Sequence, residues 1–239
     1  MLLKESRNTD EEEQFIKRVL TEKAQNGLAR LTSLLPLKSR QESLDEKSRT
    51  LHRAFLETLV EQGRAMTKTE MKDLLHVSDQ EIDGIVAKLG ALDLIVLSCC
   101  GGPVGSYPVT TEPTPHAVTS RGVRINAMCA FDSLAISPMY GNDVVIDSKC
   151  HVTGDPIHIE QNGYEIVKAE PSVDIHFGII WNSPAGGCCA NSLCTEMVFI
   201  KDGETAERWK QEGCCSREIY NLEETIDFAA AFFVPLTRD

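Results

Sequence analysis

Apolar residues recur along the chain with two different periods, and the change from one to the other divides it. Phe15, Ile16, Val19 and Leu20 repeat at helical spacing, and Leu28, Leu31, Leu34 and Leu35 repeat again before Pro36. This predicts one or two amphipathic helices. Residues 37–47 are polar and read as a linker that closes an N-terminal extension over residues 1–47. Leu51, Phe55, Leu59 and Val60 then form a helical stripe ending at Gly63. A shorter helix is expected over Thr69 to Leu75. Ser78 and Glu81 have capping-box spacing and open a helix through Ile82, Ile85, Val86 and Leu89. Asp93 to Leu97 reads as a strand. Three helices and a strand outline a winged-helix-like domain over residues 48–110.

Beyond Cys99 the pattern changes. Gly101, Gly102, Pro103, Gly105 and Pro108 mark a turn-rich stretch. Short β-like runs follow at Ala117–Thr119, Asp143–Ile146, Ile157–Glu160, Tyr164–Ala169, Val173–Ile180 and Thr195–Ile200. Asn162–Gly163, between two of them, is a hairpin signal. Two helices are expected after the strands, Glu204–Gln211 and about Ser216–Ala231. The expected fold class is therefore α+β. A helical, winged-helix-like N-terminal domain precedes a sheet-rich, mainly antiparallel domain with flanking helices over residues 111–239.

Charge changes what the first domain is good for. Asp plus Glu is 36 and Lys plus Arg is 24, a net charge of −12. Residues 51–100 carry five basic and eight acidic side chains. The helix that would enter a DNA groove has Asp79, Glu81 and Asp83 against Lys88 alone. Phosphate contact dominates DNA affinity, so a scaffold or substrate-covering role is expected and no nucleic-acid partner. Apolar runs such as Phe228–Leu236 fall far short of the ~20 residues of a membrane span. The start MLLKESRNTDEEE turns acidic before a signal core forms. No membrane association and a cytoplasmic location are expected.

The nine cysteines are Cys99, Cys100, Cys129, Cys150, Cys188, Cys189, Cys194, Cys214 and Cys215, six of them in adjacent pairs. No C-x-x-C occurs, which leaves a zinc ribbon or a dithiol redox motif without support. A single cysteine reads first as a small buried hydrophobe. Nine reduced ones make soft-metal chemistry a candidate. Cys129 stands three residues before Asp132. In the first turn of a helix the two side chains share one side, and a helix N-terminus favours a thiolate. Asp132 could accept the thiol proton when a metal cation arrives. Cys194 follows a Gly-rich loop and stands where loop meets strand, a position from which it could approach Cys129. Cys188 and Cys189 on that loop are candidate auxiliary thiols.

These segments, in this order, resemble the organomercurial (alkylmercury) lyases. Thr114-Pro-His-Ala-Val118 is similar to the family's Pro-His strand motif, and Met128-Cys-Ala-Phe-Asp-Ser-Leu134 to its Cys-Ala-x-Asp-x-Leu signature. Ser148-Lys-Cys-His-Val-Thr-Gly-Asp-Pro156 resembles its Cys-x-x-Thr-Gly turn. Cys194 to Phe199 with Glu204-Thr-Ala-Glu-Arg-Trp209 resembles its second cysteine strand and following helix. The likeness covers roughly residues 50–225. It departs from the family at Met128, often Trp, and at Thr195, often a second Cys. The resemblance implies Cys129 and Cys194 as catalytic thiols, Asp132 as catalytic carboxylate and Cys150 as a structural cysteine. It implies protonolysis of a carbon–mercury bond to a hydrocarbon and Hg(II), the metal being held by Cys129, Cys194 and Asp132. No organic cofactor or permanent metal is required. The expected partners are small organomercury substrates, with cellular thiols or a mercuric reductase as metal acceptor, in a monomer or homodimer. The alternatives are a soft-metal-responsive winged-helix regulator and a non-catalytic mercury-binding protein.

Overall fold

The computed structural model describes residues 21–181, 189–212 and 216–238. The expected helix around Phe15 to Leu20, and Cys188, Cys214 and Cys215, lie outside the described residues. Among the described residues five helices come first: α1 (Glu22–Leu34), α2 (Leu37–Glu42), α3 (Glu46–Gln62), α4 (Lys68–Leu75) and α5 (Asp79–Ala91). Five strands follow: β1 (Val96–Leu97), β2 (Pro103–Ser106), β3 (Val109–Thr110), β4 (His116–Ser120) and β5 (Val123–Ala127). Next come α6 (Ala130–Tyr140), β6 (Asp143–Lys149), β7 (Pro156–Asn162), β8 (Glu165–Glu170) and β9 (His176–Ile180). The chain continues with β10 (Met197–Ile200), α7 (Gly203–Gln211), β11 (Arg217–Asn221) and α8 (Leu222–Phe233).

The fold is α+β. One sheet has the order β1-β2-β3-β5-β4-β6-β7-β8 and a second the order β10-β9-β11. Every strand pairing among the described residues is antiparallel. Asn162 pairs with Glu165 across the expected hairpin turn, and Gly163 takes the left-handed φ of 55° that such a turn needs. The stripe on α3 stops at Gly63 in the left-handed conformation, and the Ser78–Glu81 capping box opens α5.

Several expectations change, among them the strand expected over Asp93–Leu97, of which only Val96–Leu97 is strand. Residues 37–47 do not form a free linker, because α2 lies in them with Leu37, Gln41 and Leu44 buried. Gln41 Nε2 donates to His52 Nδ1 at 3.2 Å and to the Leu236 carbonyl at 2.9 Å. Gln41 is polar, and these two bonds let it be buried. The single helix expected over Ser216–Ala231 is β11 followed by α8, separated by a capping box at Asn221 and Glu224. Period alone does not reveal that an edge of β9 awaits a partner at 217–221. Val173, expected in a strand, is exposed, and β9 begins at His176.

α6 positions the chemistry. It is buried on nearly every face, as an apolar helix enclosed by other elements must be. Phe131 packs on Phe228 of α8 with ring centroids 4.5 Å apart, and on Phe177 of β9 at 5.5 Å. Pro138 has no N–H, so the Leu134 carbonyl one turn back loses its helical donor. Gln161 Nε2, from β7, donates to it at 3.0 Å. The helix is thus tied to both sheets.

Candidate active site

The N-terminus of α6 brings Cys129 and Asp132 together. Just before it, Thr114 Oγ1 donates to the Ala127 carbonyl at 2.7 Å and Met128 N–H to the Pro108 carbonyl at 3.1 Å. The backbone is therefore held before it turns into helix. Cys129 is the N-cap, with extended backbone, and its Sγ accepts from Asp132 N–H at 3.4 Å. A thiol thus fills the capping role usually taken by Ser, Thr, Asp or Asn. Cys194 arrives from the other sheet, opening the 3-10 turn Cys194–Glu196 that leads into β10. The expected strand there starts later, at Met197.

The ligand atoms of Cys129, Asp132 and Cys194 lie within 4.8 Å of one another, the one such His/Cys/Asp/Glu cluster among the described residues. Beside it is a cavity of about 380 Å³ lined by Cys194, Met128, Met197, His116 and Lys149 among others. Cys129 and Asp132 do not line it. Cys129 is 0% exposed, Asp132 2% and Cys194 4%, so Cys194 is the thiol that a molecule in the cavity meets first. Met197 lines the cavity and also touches Cys129, whose Sγ–H donates to Met197 Sδ at 3.6 Å.

Burial sets the protonation of the site. It pushes the Cys129 thiol up to about 12 and the Asp132 carboxyl up to about 8, because no water solvates either charge. Hydrogen bonding with Cys129 pulls Asp132 back by less. Cys194 is raised by its hydrogen bonds with Cys129 and Cys189, and burial adds to this. The helix N-terminus, which favours a thiolate, is outweighed at Cys129 by burial, and the nearby Asp132 carboxyl adds to the rise. A helix terminus contributes at most ~2 kcal/mol. The rise from 9 to about 12 corresponds to roughly 4 kcal/mol at ~1.4 kcal/mol per pKa unit. The resting cluster holds three neutral acids, and Asp132 Oδ2 is buried without a hydrogen-bond partner. Such a set surrenders protons when a thiophilic cation replaces them.

The other cysteines separate. Cys150 is buried at the end of β6, where its carbonyl accepts from Gly154 N–H, and it is outside the cluster. Cys99 and Cys100 are exposed. Cys189 is fully buried, with its Sγ 4.0 Å from Cys194 Sγ. Sequence reasoning missed Met197, which nothing in the local pattern distinguishes from a core residue. It also missed Asp93, whose Oδ2 accepts from Cys189 N–H at 3.0 Å. A non-glycine residue at the left-handed φ of 53° after α5 leaves no signature in sequence.

The sequence pattern of alkylmercury lyase matches residues 109–234, more than half of the chain. The chain belongs to the alkylmercury lyase family. Alkylmercury lyases of Bacillus cereus and Clostridium butyricum are each 29% identical to it over 164 residues, 69% of this chain and 72% of theirs. That of Streptomyces lividans is 24% identical over 154 residues, 64% of this chain and 69% of its own. The crystal structure of the mercury-bound form of MerB2 aligns with a TM-score of 0.68 at 23% identity, covering 84% of this chain and 98% of that one. This alignment establishes a shared fold. The family is enzymatic, and this lyase-family chain is an enzyme. Its Cys129, Asp132 and Cys194 fall within the matched segment, whereas α1–α5 and Asp93 precede it. No helix among the described residues is long and apolar enough to cross a membrane.

Proposed function

We propose that this enzyme cleaves the carbon–mercury bond of organomercury compounds by protonolysis, with Cys129, Cys194 and Asp132 as the reacting groups. The observation that carries the reading is the buried Cys–Asp–Cys cluster beside a cavity that Cys194 lines. Mercury(II) is soft and prefers thiolate sulfur. The substrate arrives as R–Hg–SR′, a thiol complex. Cys194 exchanges for the SR′ group, and its proton leaves with that group as R′SH. Cys129 then adds a second sulfur, which raises electron density on the metal and weakens the bond to carbon. Asp132 hands its proton to the departing carbon and is reloaded by the proton that Cys129 gives up. The carbon–mercury electron pair stays with carbon, so R–H leaves and mercury remains Hg(II) on two sulfurs. General acid–base help of this kind is typically worth ~10²–10⁴-fold. No organic cofactor or resident metal takes part.

The helices from residue 48 to 110 act in this reading as scaffold and cover, the role expected of a winged-helix-like unit with the wrong charge for DNA. Its acidic helix is neutralised from within: Lys68 pairs with Asp83 at 2.6 Å, Lys47 with Glu81 at 3.9 Å, and Lys72 with Asp79. A regulator reading gains nothing from such a face. A purely metal-binding protein has no use for a carboxyl that burial keeps protonated beside two thiols. The product Hg(II) passes to cellular thiols or a mercuric reductase in the cytoplasm. Purified protein incubated with phenylmercury and excess thiol should release benzene. Capture of the phenylmercury without benzene would leave the binding-protein alternative standing and refute the lyase mechanism.

A further inference from the structure

We propose that Asp93 and Tyr107 are positioning residues of the active site, clasping the turn from Cys189 to Cys194 so that the Cys194 sulfur meets the cavity and Cys129 at once. The proposal rests on the lyase reading only for what Cys194 does. Asp93 stands just past α5. Leu94 N–H donates to the Leu89 carbonyl and Asp93 N–H to the Gly90 carbonyl, both at 3.0 Å. The helix therefore ends in a Schellman turn, with Asp93 at its left-handed position, φ 53°. Glycine is the usual residue there, because it has no side chain to strain that conformation. Asp93 instead brings a carboxyl, and the fold buries it to 6% exposure. A helix exit has no need of such a group, so its use lies in what it touches.

Cys189 N–H donates to Asp93 Oδ2 at 3.0 Å, and the Tyr107 hydroxyl donates to Asp93 Oδ1 at 3.2 Å. The same hydroxyl accepts from Ala190 N–H at 2.7 Å. Arg40 lies 3.9 Å from the Asp93 carboxyl and donates to the Leu92 carbonyl at 3.0 Å, which holds the anchor in its turn. The first two N–H groups of the Cys189–Cys194 turn are thus pinned from outside it. Its far end is tied to its start, because Ser192 N–H and Cys194 N–H both donate to the Cys189 carbonyl at 3.1 Å. Cys194 Sγ–H then donates to the buried Cys189 Sγ at 4.0 Å, which orients the thiol. Asp93 and Tyr107 both precede the family-matched residues 109–234. The N-terminal part of the chain therefore supports the reacting thiol as well as covering it. Misplacing a reacting group by ~1 Å can cost ~10²-fold in rate, so pinning this turn bears directly on catalysis.

The test uses the full chain in a parent carrying Cys99→Ser, Cys100→Ser, Cys188→Ser, Cys214→Ser and Cys215→Ser, which removes competing thiols. Added phenylmercury mass on the intact protein reads capture, and benzene in a single turnover reads cleavage. Thr67→Ala, whose hydroxyl serves only the exposed capping box of α4, controls for lost stability and should cleave at the parent rate. Asp93→Ala should still capture phenylmercury and release benzene ~10²-fold more slowly. Asp93→Asn keeps an acceptor for Cys189 N–H and should recover most of that loss. Tyr107→Phe keeps the ring, gives up both hydroxyl bonds and should fall between the parent and Asp93→Ala. Benzene at the parent rate from Asp93→Ala, no recovery by Asp93→Asn, or capture and release lost in equal proportion overturns the proposal. If Asp93→Ala does not fold, Tyr107→Phe decides by the same measure: slowed release with capture kept is expected, and the parent rate overturns. Amide hydrogen exchange at residues 189–190, read by peptide mass, needs no cleavage. Faster exchange in Asp93→Ala than in Thr67→Ala is expected, and equal exchange overturns the clasp. No benzene from the unmodified chain, with that exchange difference present, sinks the lyase mechanism and leaves the clasp.

Discussion

Replacing Asp132 by Asn separates the chemical use of this carboxyl from its cost to the fold. The sign follows from the raised proton affinity. The unfolded chain loses the Asp132 proton near 3.8, whereas the folded chain keeps it to about 8. Across that window the native state binds one more proton than the unfolded state, so wild-type stability falls as pH rises, and no further above about 8. At pH 7, about three pH units above 3.8, the cost is about 4 kcal/mol as an order of magnitude. Asn does not ionise and avoids it, but gives up a buried hydrogen bond worth ~1 kcal/mol. Asp132→Asn should therefore be more stable than wild type at pH 7 by about 3 kcal/mol. The advantage should grow by ~1.4 kcal/mol per pH unit between pH 5 and 8. His52 and His116, which burial holds at about 4, weaken both proteins equally below 6.5 and cancel in the difference. Urea unfolding of the metal-free proteins at four pH values gives the slope directly. The same variant should still capture phenylmercury, seen as added mass on the intact protein, while benzene release slows by ~10²–10⁴-fold. A stability difference that is flat from pH 5 to 8 would refute the buried, protonated carboxyl. Benzene release at the wild-type rate would refute its role as proton donor.

Cys129→Ser and Cys194→Ser each exchange a soft ligand for a hydroxyl, and benzene release should fall to background with far-ultraviolet circular dichroism unchanged; near-normal turnover by Cys194→Ser would exclude the proposed pair. Gln161→Leu leaves the buried Leu134 carbonyl opposite Pro138 without a donor, and should cost ~1–3 kcal/mol in urea unfolding. Asp93→Ala removes the acceptor for Cys189 N–H and Tyr107. It should slow benzene release and raise the rate at which a maleimide labels Cys194, read by peptide mass; unchanged labelling would mean that the turn holds itself.

The sequence alone determined the parts of this protein governed by neighbours along the chain. The α3 stripe ending at Gly63, the Ser78–Glu81 capping box, the Asn162–Gly163 hairpin and the placement of Cys129 at a helix start all depend on residues a few positions apart. Periodicity, caps and turn residues report such relations. The family resemblance rested on the same local segments. The tertiary structure decided what long-range contact decides. The side of β9 left open by β10 turned residues 217–221 into a strand, where their own pattern read as helix. A buried histidine drew Gln41 into the core and packed a segment that looked like linker. Above all, it decided the charge of the site. The helix N-terminus beside Cys129 is visible in sequence and favours a thiolate. Enclosure by two sheets and α8 is not visible there, and it favours the thiol by more. Asp93 sits 96 residues before the cysteine whose N–H it accepts, and only folding makes them neighbours.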